Sequence, residues 1–277
     1  MPVNCNWKNI FILNNQINNL SPANHTIMQV DINCDLGEGM AHDADIMPFI
    51  SSANIACGFH AGDENTMRQT ILLAMENKVV IGAHISFPDK QNFGRTEMHF
   101  AKNELHDLIF QQLATIHKIA DSLGAVIHHV KPHGALYNMS ARDAELANTM
   151  AAAVKQFNPG FILYGLSGSH SINEAKRIGL QTASETFADR HYNDDGSLTA
   201  RSQPNAMIED EQKAVQQVLQ MIIEGTVTTG TGKLIPVLAE TICIHGDENN
   251  ALAFARVISA ALKKENIRIA PPASVIP

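Results

Sequence analysis

Along most of this chain, short apolar runs alternate with stretches whose apolar residues recur every three or four positions. The runs at 29–39, 54–63, 79–89, 125–134, 161–166, 180–186, 241–247 and 267–270 read as strands, the last as a closing strand before Pro271 and Pro272. Between them the spacing predicts helices at 65–77, 102–123, about 141–157, 169–178, 208–225 and 249–264. The clearest is 102–123, where Leu105, Leu108, Ile109, Leu113, Ile116, Ile119 and Leu123 share one face and Gly124 ends the helix. At 65–77, Met67, Ile71, Leu72 and Met75 keep helical spacing, with Asp63 and Glu64 supplying a cap and a first-turn acid. Such alternation implies parallel strands joined by right-handed crossovers. Seven or so strands suit a closed or nearly closed barrel. An open doubly wound sheet ranks second, because it gathers ligands at one switch point, whereas here polar residues end most strands.

Those endings carry the functional signal. Four runs end in a histidine followed by turn residues: His60, His84, His133 and His245. The first run ends in Asp35 and Glu38 instead. In a parallel barrel such ends meet at one mouth, where these folds keep their active sites.

Residues 1–27 differ, with eight Asn and neither strand nor helix period. They read as an extension, disordered or loosely docked, or as the product of a start codon assigned too early. Residues 28–277 then form a single domain, with no linker inside it.

Composition narrows the classes. Of 277 residues, 45% are hydrophobic and 17% charged, which argues against wholesale disorder. A net charge of −8 disfavours nucleic-acid and anionic-membrane surfaces. No apolar stretch approaches the ~20 residues that cross a bilayer, and the run at 10–13 is too short for a signal peptide. The four cysteines are scattered without a CxxC pair, which fits a reducing cytoplasm.

Each candidate has a bland reading beside the functional one. His60 and His84 are turn histidines without a role, or ligands or acid/base groups whose ordinary pKa suits proton traffic near neutrality. In KPHG, Pro132 biases Lys131 toward extended geometry, which aims Lys131 and His133 at the mouth. A lysine there needs a carboxylate: Glu185, Asp189 or a substrate's. His128 and His129 lie within the strand and read as packing or support. The polar segment 183–201 is in part a solvated loop, with a turn at Asp194, Asp195 and Gly196, but Glu185, Asp189 and Arg190 stand close enough together for a site. Asp89 and Arg95 sit on a loop able to clamp a carboxylate. The segment 166–170 (LSGSH) fits an anion at a helix start or a tight turn equally well. P-loop, GxGxxG, GxSxG and HExxH motifs are absent from the sequence. Asp35 with several histidines makes a water-activating divalent metal possible, with the ligands unknown.

The ordered motifs DINCDLGEG, SSANIACGFHAGD, IGAH, FPD, NFGR, HVKPHGALYN, ETFADR, DGSL and CIHGD resemble the LamB/YcsF family, whose members are A subunits of bacterial ATP-dependent 5-oxoprolinase. The likeness runs from about Met28 to Ala270. It implies a single-domain α/β fold, a (β/α)7-like distorted TIM barrel of the glycoside hydrolase/deacetylase type. It also implies hydrolysis of 5-oxo-L-proline to L-glutamate coupled to ATP hydrolysis, with subunits B and C as partners and ATP bound with or by them. Ile85 stands where the family usually has Pro, and Thr96 where a second Arg often follows. With the resemblance, Asp35, His60, His84, His133 and Glu185 become the catalytic candidates. Lys131, Arg95, Asp189, Arg190, Arg201, His245 and Asp247 become candidates for holding the substrate. The alternatives are a metal-dependent amide hydrolase or deacetylase acting alone, and a non-catalytic ligand-binding subunit.

Overall fold

The computed structural model describes residues 28–245 and 251–273; the 1–27 extension and Asp247 lie outside the described residues. In chain order the strands and α-helices are β1 (Gln29–Leu36), α1 (Asp43–Ile46), β2 (Ser52–Ala56), α2 (Glu64–Asn77), β3 (Val80–Ile85), α3 (Lys102–Leu123), β4 (Ile127–Pro132), α4 (Gly134–Arg142), α5 (Ala144–Phe157), β5 (Ile162–Leu166), α6 (His170–Arg177), β6 (Gln181–Phe187), α7 (Glu211–Leu219), β7 (Thr226–Thr228), β8 (Leu234–Pro236), β9 (Thr241–Ile244), α8 (Ala251–Lys264) and β10 (Arg268–Ile269).

Seven of the strands form a closed parallel ring in the order β1-β2-β3-β4-β5-β6-β9, and β9 returns to β1 through Asp31↔Thr241 to Cys34↔Ile244. The closing strand is therefore β9. The run expected to close the barrel, β10, pairs only with Gln29 and Val30, outside the ring. Between β6 and β9 the chain leaves the ring to form a long loop, α7 and the antiparallel β7–β8 hairpin.

Strand residues alternate between two surroundings, as a two-residue period requires. Outward positions such as Val30, Ile32, Cys34 and Leu36 on β1, and Ile81, Ala83 and Ile85 on β3, pack into the core beneath the helices. Inward positions carry Asp31, Asn33 and Asp35 on β1, Ser52 and Asn54 on β2, His129 and Lys131 on β4, and Glu185 on β6, all buried. The barrel is thus filled with polar side chains. The expectation of apolar strands that turn polar only at their last residues is corrected on this point.

Local signals account for the element ends. The Asp63 carboxylate accepts from Thr66 N at 2.8 Å at the start of α2, and Gly124 ends α3 at φ +72°. The predicted helix at 141–157 is two helices, broken at Asp143, whose side chain accepts from Glu145 N and Leu146 N to cap α5. Among the described residues no helix is long and apolar enough to cross a membrane.

Candidate active site

The polar residues inside the barrel stack in tiers. Lowest is Asp31, whose carboxylate accepts from Ser51 and Ser52 (2.6 and 2.7 Å) through one oxygen and from Thr241 and Tyr164 (2.7 and 2.9 Å) through the other. Above it, Asn54 donates to Asn33 Oδ1 (2.7 Å) and to Asp35 Oδ1 (2.8 Å), while its own carbonyl faces His129 Nε2 at 2.7 Å.

Lys131 sits at the centre. Its Nζ is 2.8 Å from Asp35 Oδ1, 2.9 Å from Glu185 Oε1 and 3.0 Å from Cys243 Sγ. Burial alone would lower the lysine pKa, but Asp35, Cys243 and Glu185 outweigh it and hold the value well above the ordinary one. For Asp35, burial would raise the pKa, but His84 and Lys131 override it and hold the carboxyl well below its usual range. Both groups are therefore charged at neutral pH.

The upper tier holds Glu38, His60, His84 and His133, whose ligand atoms all lie within 4.8 Å of one another. This arrangement can hold a metal ion. His60 stacks on His133 with ring centres 3.9 Å apart, and His84 meets both rings edge-on. Burial, reinforced by His84, lowers the His60 pKa to about 2. Burial and the neighbouring His60 hold His133 well below its usual value, so both rings are neutral. Gly94 (φ +66°) lies over them: a Cβ there would stand 2.8 Å from His60 Cβ and 2.9 Å from His133 Cδ2, so the loop can close on the rings only with glycine. Ile85 ends β3 and accepts the His133 N–H through its carbonyl at 2.7 Å.

A cavity of about 1020 Å³ opens above this floor. Asp35, Glu38, His84, Lys131, His133 and His245 line its base, while Arg95, Arg190 and Arg201 line its walls. His245 Nδ1 lies 2.9 Å from an Asp189 oxygen, and its ring stacks on Phe187. Burial would raise the Asp189 pKa, but His245 and Arg190 reverse that and lower it.

The sequence candidates thus separate by place. Asp35, His84, His133, Lys131, His245 and the three arginines meet at one cavity. His60, 1% exposed, stands behind His133 and does not line it. Neither does Glu185, fully buried and bonded to Asn33 and Lys131. Asp89 ties down its own loop, accepting from Asn92 Nδ2 and Thr96 N, and so differs from the expected clamp. Asp194 accepts from Thr229 and Thr231, fastening the β7–β8 turn. The 166–170 segment lines the cavity wall, with α6 beginning at His170. Glu38 is legible only as a strand-end acid, and Asp31, Asn33, Asn54 and Tyr164 are functional neighbours of the site with weaker marks in the sequence. For Asp31, Asn33 and Asn54 the signal is the alternation of polar and apolar residues in DINCD and SANI; Tyr164, in ILYGL, carries none.

A seven-stranded parallel barrel with charged and histidine groups at the carboxyl ends of its strands defines the class of the molecule. The profile of the LamB/YcsF family matches residues 30–276, and the chain belongs to that family. It is 50% identical over 241 residues to the 5-oxoprolinase A subunit of Haemophilus influenzae (strain PittEE), covering 87% of this chain and 98% of that one. The protein of the same name from Bordetella pertussis (strain Tohama I) is 49% identical over 245 residues, covering 87% and 97%. Among solved structures, the lactam utilization protein of Thermus thermophilus superposes with a TM-score of 0.83 at 38% identity, covering 88% of this chain and all of that one.

Proposed function

We propose that this chain is the A subunit of a 5-oxoprolinase, a hydrolase that opens the cyclic amide of 5-oxo-L-proline to L-glutamate. In this reading ATP drives the step, subunits B and C complete the enzyme, and ATP is bound with or by them. The observation that carries it is 50% identity to a protein of that name, over 98% of that protein's length.

The chemistry of the floor supports it. A lactam carbon is a poor electrophile because its nitrogen lone pair is delocalised. Transfer of the ATP γ-phosphoryl group to the lactam oxygen removes that protection. Water then adds to the carbon and the C–N bond breaks as the nitrogen takes up a proton, leaving an acyl phosphate that a second water hydrolyses to glutamate and phosphate. Asp35, ionised at the cavity base, accepts a hydrogen bond from the attacking water. The Glu38–His60–His84–His133 cluster beside it activates that water. Lys131, enclosed by Asp35 and Glu185, fixes the charge of Asp35 rather than gripping substrate. Arg190, Arg201 and Arg95 on the walls hold the substrate carboxylate or the transferred phosphoryl group. His245, oriented by Asp189, is suited to deliver the proton to nitrogen.

The test is glutamate formation from 5-oxo-L-proline and ATP, with and without co-expressed partner subunits. In the active assembly Asp35→Asn should lower turnover by ~10²-fold or more. Undiminished turnover in that variant removes Asp35 from the chemistry, and absence of ATP-driven product in every combination rejects the reading. A second reading, a metal-dependent amide hydrolase acting alone, is favoured by the buried His/Glu cluster. ATP-independent amide cleavage by the isolated chain would select it.

A further inference from the structure

The histidine cluster poses a problem of proton placement. His84 Nδ1 lies 3.0 Å from the Lys131 carbonyl oxygen, and His133 Nε2 lies 2.9 Å from the Phe93 carbonyl oxygen. A carbonyl oxygen only accepts, so each of these nitrogens carries a proton. His60 Nδ1 lies 3.0 Å from Ser86 Oγ, and that hydroxyl donates its own proton to the Phe87 carbonyl at 2.9 Å. His60 Nδ1 must therefore donate too.

The second nitrogen of each ring then points inward, toward the other rings and Glu38. His84 Nε2 and His133 Nδ1 face each other at 2.9 Å, and His60 Nε2 faces Glu38 Oε1 at 2.9 Å. His84 Nε2 also lies 3.3 Å from Asp35 Oδ2, so three ring nitrogens face one another and two carboxylates. A positive centre belongs among them.

We propose that Glu38, His60, His84 and His133 form a binding site for a divalent transition ion of the zinc class. The ligand atoms fit one. A tetrahedral ion bound at 2.0–2.1 Å separates its ligands by about 3.3 Å. Here Glu38 Oε1 lies 2.9, 3.7 and 3.5 Å from His60, His84 and His133. Three imidazoles with one carboxylate suit zinc and its neighbours rather than magnesium or calcium. The outward N–H of each ring, held by a carbonyl or a hydroxyl, is the arrangement that orients histidines as ligands. A shared proton would settle one such pair, but it gives no reason for three rings and a carboxylate to converge. Because Glu38, His84 and His133 also line the cavity, the ion would be reached from the substrate side. This deepens the lactam-opening reading and rests on it only for the ion's use. The ion's presence is measured separately from turnover.

The experiment takes the full chain, purified without chelator from zinc-supplemented growth and analysed for metal by mass spectrometry. About one equivalent of metal per chain is expected. After chelation, adding Zn(II) should raise the melting temperature, and Co(II) should give the intense visible bands of a tetrahedral site. His84→Gln and Glu38→Gln should each abolish stoichiometric binding. Ser86→Ala, which keeps every ligand but removes one orienting partner, should weaken binding by about 10- to 100-fold. Sub-stoichiometric metal with no thermal or spectral response would overturn the site and leave a proton-sharing cluster. Full binding in the two ligand variants would also overturn it.

Discussion

Gly82 on β3 shows how one missing atom shapes the barrel interior. A Cβ built at this position would lie 2.1 Å from His129 Nε2, and its backbone needs no positive φ, so the requirement is for space alone. The imidazole that fills this space stacks on Tyr164 with ring centres 4.1 Å apart and meets Asn54 at 2.7 Å. Gly82→Ala must therefore displace His129 and with it the Asn54 link to Asp35. Overpacking of this kind costs about 1–3 kcal/mol, which a urea midpoint would read. In a His129→Ala background the same substitution should cost almost nothing, and an undiminished loss there would show that the clash lies elsewhere. His129 is legible in the sequence as a support residue inside a strand. The reason for Gly82 is not, because it depends on a contact across neighbouring strands.

At the scale of the strand, alternation decides what fills the barrel. The carboxyl-end histidines are readable because each follows an apolar run and precedes a turn, as in CGFHAGD and KPHG. The lower tiers were harder to read. Asp31, Asn33 and Asn54 each sit between apolar neighbours, Ser52 follows another serine, and only strand register brings them together. Asp31 is the clearest case, with four hydroxyl groups donating to one buried carboxylate. Asp31→Ala removes the shared acceptor and leaves buried hydroxyls unpaired, at about 1–3 kcal/mol for each that finds no substitute. A loss of at least about 3 kcal/mol in denaturant unfolding is expected. A loss below about 1 kcal/mol would mean that the hydroxyls re-pair among themselves, as the 3.2 Å Ser52–Tyr164 contact would permit.

For the whole molecule, the buried interior sets how stability responds to acid. The ring closure that creates this interior was legible only as a count of strands. That β9 and not β10 closes the ring against β1 depends on how the long β6–β9 excursion packs, which no local pattern records. Within the ring, His129 is fully buried, and burial, reinforced by the neighbouring charges of His128 and Lys131, holds its pKa well below the ordinary value. The unfolded chain therefore takes up this proton below about pH 6.5 while the folded chain stays neutral. Because the unfolded state then binds more protons, stability falls as pH falls, by up to about 1.4 kcal/mol per pH unit for this group. Carboxylates with lowered values, such as Asp189, add their loss only further down, as pH falls below the usual carboxylate pKa and through their folded one. Asp31, raised by burial against the pull of its hydroxyl partners, works in the opposite sense, since its folded form gains a proton first. Between pH 7 and 5, then, unfolding free energies from denaturant titrations should decline in the wild type. In His129→Gln, which keeps a polar side chain within reach of Asn54, the decline should be shallower by about one proton's worth. Parallel curves for the two proteins across that range would mean that His129 is already protonated in the fold, and a neutral imidazole at the heart of the barrel would have to be abandoned.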